Sequence, residues 1–171
     1  MNIASLCVHV SFVVPVFNEE CTIETLVERL NAVMRHSGED LYEIILIDDG
    51  SSDRSWPLMQ TLAKSDPKVI SYRLRRNFGK ATALALGAQV ARGSVLITLD
   101  ADLQDDPTEI PRFLAKLDEG YDLVSGWKKD RKDPLSMPGV CCGALYTRHH
   151  KHGDYRQAGP GIGKADARST S

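Results

Sequence analysis

Short, unbroken apolar runs alternate with segments of helical period along the first 125 residues, and that alternation leaves very few architectures open. Residues 11–15, 42–47, 69–74 and 94–99 read as strands that are apolar on both faces, with a fifth at 121–125. Residues 21–36 carry Ile23, Leu26, Val27, Leu30, Val33 and Met34 at helical spacing and stop at Gly38. Three more helices are expected: one capped by Ser52 or Asp53 and running to about Lys64, one over the alanine-rich stretch 80–91, and one over 107–119. Strands that are apolar on both faces need cover on both. The fold class is therefore α/β, a mostly parallel sheet with helices on both faces. Ligands bind such sheets at the carboxyl ends of the strands. Three polar motifs fall there: Pro15-Val16-Phe17-Asn18-Glu19, Asp48-Asp49-Gly50-Ser51 and Asp100-Ala101-Asp102.

The third motif carries the clearest chemistry. Asp100 and Asp102 follow the apolar run 94–99 directly, and two carboxylates at i, i+2 repel one another unless a positive charge lies between them. A hard divalent cation fits, because it prefers oxygen ligands and commonly bridges protein carboxylate to substrate phosphate. A solvated acidic turn leading into the helix after Pro107 is the plainer alternative. No G-x-G-x-x-G follows the first strand and no G-x-x-x-x-G-K-[ST] occurs, so ordinary dinucleotide and phosphate-loop kinase readings lose ground.

Composition narrows the function further. With 171 residues, 42% hydrophobic and 26% charged, the chain is ordinary globular material. A net charge of -2 provides no general attraction for a polyanion, which argues against nucleic acid as a partner. Cys7, Cys21, Cys141 and Cys142 form no C-x-x-C pair, so a reducing, cytoplasmic setting is expected rather than a zinc site or disulfide framework. Residues 8–17 are apolar without a preceding basic segment and are interrupted by Pro15, as in a first strand rather than a signal peptide. No stretch approaches the length of a membrane-spanning helix, so contact with a membrane is expected to be peripheral, on its cytoplasmic face.

Taken together, these motifs resemble family 2 glycosyltransferases with the GT-A fold. Within that family the similarity is strongest to polyprenyl-phosphate glycosyltransferases, which include dolichol-phosphate mannose synthases and bacterial undecaprenyl-phosphate sugar transferases. It is carried by residues 14–20, 47–53, 76–80, 99–107 and 120–127, in this order. The resemblance implies a nucleotide-sugar donor, a polyprenyl phosphate acceptor, and Mg2+ or Mn2+ as cofactor. It places Pro15, Phe17 and Glu19 in the nucleotide pocket, Ile47 and Asp49 at the base, and Asp100, Ala101 and Asp102 beside the ribose and diphosphate. Asp100 and Asp102 are the implied catalytic carboxylates, with Asp102 and Gln104 as metal ligands. Phe17 stands where relatives often have Tyr. Asp48 is expected to be structural, closing its turn toward Ser51 or Asp53. Lys128, Lys129, Arg131 and Lys132 lie where the acceptor loop is expected, and Lys128 and Arg131 are candidates for holding a phosphate. Local pairing with Asp130 and Asp133 is the alternative. Arg73, Arg75 and Arg76 fit the polar end of a strand.

After Pro134 the resemblance stops. The expected organisation is a nucleotide-sugar-binding domain over 1–134, with an incomplete acceptor side, and an irregular tail over 135–171. His149, His150 and His152 fit an exposed polar segment better than a metal site. The leading function is hexosyl transfer to a polyprenyl phosphate with inversion. The alternatives are a weakly active nucleotide-sugar-binding fragment, or a family 2 transferase acting on a saccharide hydroxyl. A nucleotidyltransferase is disfavoured, since no Gly/Arg/Lys-rich phosphate loop follows the first strand. The tail is expected to arise from a truncation, alternative exon or frame shift. Translation of the encoding DNA in all three frames checks this: a family-like continuation in another frame is the expected outcome.

Overall fold

The computed structural model describes residues 9–126 and 145–148. Four strands come first: β1 (Val10–Val16), β2 (Tyr42–Asp48), β3 (Val69–Arg73) and β4 (Val95–Thr98). The helices are α1 (Ile23–His36), α2 (Ser55–Ser65), α3 (Lys80–Val90) and α4 (Ile110–Asp118), the last entered through a short 3-10 turn at Pro107–Glu109. Strands β5 (Leu123–Ser125) and β6 (Leu145–Arg148) complete the sheet. No helix among the described residues is long and apolar enough to cross a membrane.

The strand order is β3-β2-β1-β4-β6-β5. β1 pairs in parallel with β2 and β4, and β2 in parallel with β3. The chain thus builds outward from β1 to β3, then returns to the other side of β1 as β4. A crevice opens between β1 and β4, where the winding reverses. β6 runs antiparallel between β4 and β5. This corrects the expectation of an irregular tail after residue 134, since residues 145–148 form a strand. Their pattern was too short to stand out, and their pairing depends on edges supplied by β4 and β5, both distant in sequence.

Helices cover both faces, as the apolar strands require. On one face, Ile23, Leu26, Leu30 and Met34 of α1, Met59 of α2, and Ile110 and Leu117 of α4 pack on Phe12, Val14, Ile44, Leu46 and Ile97. The other face carries α3, which packs on Val13, Ile45, Ile47 and Leu96. α1 ends where Gly38 takes φ +71°, a conformation that L side chains rarely adopt.

Two buried polar residues pin the amino ends of the strands. Ser11 and Glu43 face each other across β1 and β2, and Ser11 Oγ donates to Glu43 Oε1 at 2.6 Å. Glu43 also accepts from the Arg92 backbone N–H at 2.7 Å and from Arg92 Nε at 2.7 Å. Gly93 N–H donates to Ser11 Oγ at 2.8 Å. A buried carboxylate is tolerable only with such complete pairing. The result ties the turn before β4 to β1 and β2.

α3 lies unusually close to the sheet. A Cβ added at Gly87 would sit 2.2 Å from Val13 Cγ1, so only glycine fits there without movement. Gly87→Ala is expected to destabilise by about 1–3 kcal/mol through overpacking. Urea unfolding should show a lower midpoint at unchanged slope. An unchanged midpoint would mean that α3 can shift away freely.

Candidate active site

The chemistry-bearing residues collect at the carboxyl ends of β1, β2 and β4. β1 leads into Phe17, which is 47% exposed, and then Asn18, whose φ of 57° is left-handed. Asparagine tolerates this conformation better than most residues. Its side chain also stitches two loops together. Asn18 Oδ1 accepts from Ser52 N–H at 2.9 Å, while Asn18 N–H donates to Ser51 Oγ at 2.9 Å. Glu19 N–H donates to Ser55 Oγ at 2.9 Å and Glu20 N–H to Asp53 Oδ2 at 3.2 Å. Arg54 N–H returns a bond to Glu20 Oε2 at 2.8 Å. Burial opposes ionisation of Asp53, but hydrogen bonds from Ser55 and the Glu20 N–H outweigh it and hold that carboxyl below its ordinary value.

At the end of β2 two adjacent carboxylates divide their work. Asp48 is fully buried and accepts from Ser51 N–H at 2.9 Å, which closes the turn as expected. Its Oδ2 lies 3.0 Å from Arg73 Nε, an ion pair whose direction is not that of a hydrogen bond. Arg73 therefore has a structural partner. Asp49 instead reaches the loop before α3, where Oδ1 accepts from Phe78 N–H at 2.8 Å and Oδ2 from Gly79 N–H at 2.9 Å. Gly50 carries φ +77°, and a Cβ there would lie 2.6 Å from the Arg76 carbonyl carbon, so the two loops are in backbone contact.

From that pinned loop, Lys80 opens α3 and its Nζ lies 2.5 Å from Asp100 Oδ1. Beyond β4, Ala101 is buried and Asp102 Oδ1 accepts from Gln104 N–H at 3.0 Å. Leu103 between them has φ 61°, a strained left-handed conformation worth roughly 1–2 kcal/mol, and packs against the core.

A cavity of about 330 Å³ lies among these groups. Pro15, Val16, Phe17 and Glu19 form its β1 wall, Asp49, Asn77, Gly79 and Lys80 the opposite wall, and Asp100, Ala101 and Asp102 the third side. Glu19, Asp49, Asp100 and Asp102 are acidic, against Lys80 as the one basic residue of the lining. All-oxygen carboxylate donors suit Mg2+ or Mn2+. Among the described residues, no three acidic, His or Cys side chains converge as a metal cage. A cation at Asp100 and Asp102 would therefore take remaining ligands from water or substrate oxygens, the usual habit of Mg2+.

Seven sequence-identified residues thus meet in one cavity: Pro15, Phe17, Glu19, Asp49, Asp100, Ala101 and Asp102. Ile47 does not line it; its side chain is buried in the core under α3. Gln104 is exposed and does not line it either. Lys128 and Arg131 lie outside the described residues, as do Lys129 and Lys132. Asn77, Gly79 and Lys80 belong to the 76–80 motif, but sequence reasoning assigned them no place in the site. Their signal was position, since they enter a helix directly after a parallel strand, where such sheets place ligands.

The family described as Glycosyl transferase family 2 matches residues 11–136. An undecaprenyl-phosphate 4-deoxy-4-formamido-L-arabinose transferase of Pectobacterium carotovorum subsp. carotovorum is 49% identical over 129 residues, covering 74% of this chain and 39% of the relative. The chain therefore spans about two fifths of that relative's length. Among solved structures, glucosyl-3-phosphoglycerate synthase from Mycobacterium tuberculosis with Mg2+ and UDP is similar at TM-score 0.61 and 22% identity, covering 82% of this chain and 56% of that one. A mannosyltransferase from Pyrobaculum calidifontis with GDP-Man and Mn2+ is similar at TM-score 0.59 and 19% identity, covering 82% and 44%. The architecture is thus shared with GT-A glycosyltransferases.

Asp49→Ala leaves Phe78 N–H without its acceptor and Gly79 N–H with Asn77 Oδ1 alone, at 3.0 Å. The expected cost is about 1.5–3 kcal/mol for a buried charge-assisted pair. Hydrogen exchange should speed selectively at Phe78 and, to a smaller extent, at Gly79. Unchanged protection at both would show that the loop is held by other contacts.

Proposed function

Because this chain belongs to glycosyl transferase family 2, we propose that its cavity binds a nucleotide sugar and serves hexosyl transfer to a polyprenyl phosphate. The observation that carries this reading is the convergence of Asp100, Asp102, Asp49 and Glu19 on one cavity at the β1–β4 crevice. The Pectobacterium relative, named for transfer to undecaprenyl phosphate, supports the acceptor class.

In this reading Phe17 gives a half-exposed aromatic face beside the base, Asp49 accepts from a base N–H, and Glu19 lines the nucleotide pocket. A carboxylate serves the imide of uracil and the amide of guanine equally, so donors carrying either base fit. Asp100 and Asp102 would hold a divalent cation, which supplies charge stabilisation to a departing nucleoside diphosphate. Gln104 is retained as a candidate ligand that would have to turn inward. Lys128 and Arg131 are proposed to hold the acceptor phosphate. That phosphate is already anionic at neutral pH, so the chain need not supply a strong general base. Its residues position two anions for attack on the sugar face opposite the leaving group, which inverts the anomeric centre.

The test uses radiolabelled UDP-hexoses and GDP-hexoses with undecaprenyl phosphate in vesicles, with a saccharide acceptor, and with neither, each with and without chelator. Chelator-sensitive label in the lipid fraction is expected from one donor class. Label on the saccharide would overturn the acceptor assignment. Nucleotide binding without transfer would leave a donor-binding module. Asp102→Asn should weaken cation-dependent nucleotide binding roughly tenfold to hundredfold, the worth of a charge-assisted contact. Unchanged cation dependence would reject the role of Asp102.

A further inference from the structure

Lys80, the first residue of α3, pairs across the cavity with Asp100, just beyond β4. It occupies one of the two carboxylates that a divalent cation would need. The start of α3 is fixed, while the Lys80 tip meets Asp100 from a half-exposed position. Asp49 fixes the preceding Gly79 N–H at 2.9 Å, while the Lys80 side chain is 53% exposed. A lysine stem has four carbons and a compact, rotatable ammonium, so the tip can move several ångströms without moving the helix. Asp100 is less exposed, at 26%, and its neighbours in the lining include Asp102 and Glu19. The ammonium therefore relieves repulsion that the carboxylates would otherwise impose on each other.

Resting on the nucleotide-sugar reading of the pocket, we propose that Lys80 couples cation binding to diphosphate binding by standing in for the cation at Asp100. With the pocket empty, Lys80 neutralises Asp100. When a diphosphate enters, the ammonium finds oxygens of full negative charge within the same cavity and turns to them. Asp100 is then released beside Asp102, and the pair becomes available to a cation that the diphosphate also ligates. Neither partner alone gains all of these contacts. A cation alone must displace Lys80 and leave it unpaired, and a diphosphate alone leaves Asp100 and Asp102 repelling each other. The two ligands therefore assist one another, and the assistance is reciprocal by linkage. The geometry also assigns different jobs to the carboxylates. Asp100 exchanges partners, whereas Asp102 accepts from Gln104 N–H at 3.0 Å through one oxygen.

Calorimetry on the full chain tests this with Mn2+ alone, UDP and GDP alone, and Mn2+ with saturating diphosphate. For wild type, the diphosphate that binds should tighten Mn2+ strongly. Lys80→Met should bind Mn2+ alone more tightly and the diphosphate alone more weakly, each by about tenfold, the lower end for a charge-assisted contact. The coupling factor between the two should fall accordingly. Opposite signs for the two ligands are a signature that a loss of folded structure cannot produce. Lys80→Arg, which keeps the charge, should stay close to wild type. Uridine or guanosine should bind Lys80→Met and wild type equally, which reports an intact base pocket. Mn2+ binding no tighter in Lys80→Met, or an unchanged coupling factor, would overturn the role of Lys80 while leaving the donor pocket standing. Absence of any diphosphate binding by wild type, with or without Mn2+, would instead overturn the nucleotide reading and this coupling with it.

Discussion

Everything at the carboxyl edge of the sheet hangs on two adjacent carboxylates at the end of β2. Successive side chains on a strand point to opposite faces, so Asp48 and Asp49 serve different loops. Asp48 closes its own turn through Ser51 N–H and draws in Arg73 from the neighbouring strand. Asp49 takes both N–H groups of Phe78 and Gly79 and thereby sets where α3 begins. The position of Lys80 follows from that start, and so does its reach to Asp100. Burying these charges is tolerable because Asp49 has an N–H donor on each oxygen, and Asp48 has one N–H donor and the Arg73 charge beside it. Gly50 allows the required closeness, since any side chain there would collide with the Arg76 backbone.

The opposite end of the sheet is built for permanence. Ser11, Glu43, Arg92 and Gly93 form a nearly closed polar knot, with the carboxylate carrying bonds on both oxygens. The carboxyl edge, by contrast, holds its carboxylates in a cavity with one ammonium. It also holds two non-glycine residues in left-handed conformations, Asn18 and Leu103. Asn18 is supported by bonds to the 51–55 loop, and Leu103 by burial of part of its side chain. Strain that collects beside a pocket and is held in place by its surroundings is the usual mark of a functional edge. Rigid at one end and strained at the other, the sheet presents its charged groups without needing their mutual repulsion to be resolved by folding alone.

Much of this was legible in the chain itself. The runs that became β1 to β4 were long enough, and apolar enough on both faces, to announce a covered parallel sheet. The helical face of α1 was visible in Ile23, Leu26, Leu30 and Met34, all of which are buried. Asp100 and Asp102 could be read because their spacing carries a chemical cost that only a cation or solvent removes. Ile47 could not be placed correctly. It lies one residue before the polar turn, and the pleat sends it into the core rather than the cavity. Lys80 stands in the 76–80 motif and opens an expected helix, but its pairing is not legible locally because Asp100 lies twenty residues away. β6 was hidden for the same reason: its partners Val95, Thr98, Leu123 and Ser125 belong to strands earlier in the chain.

Local pattern therefore determined which segments became strands and helices, that the sheet needed cover on both faces, and that polar motifs would gather at one edge. Those properties follow from periodicity, from turn chemistry and from the handedness of parallel connections, each of which acts over a few residues or one crossover. The tertiary structure alone decided which carboxylates would be spent on backbone N–H groups, which would face the cavity, and which would meet an ammonium. Those outcomes depend on the register of β1 against β2 and β4 and on the closeness of α3 to Val13. Register and packing distance are set by the whole core at once, so no short stretch of sequence contains them.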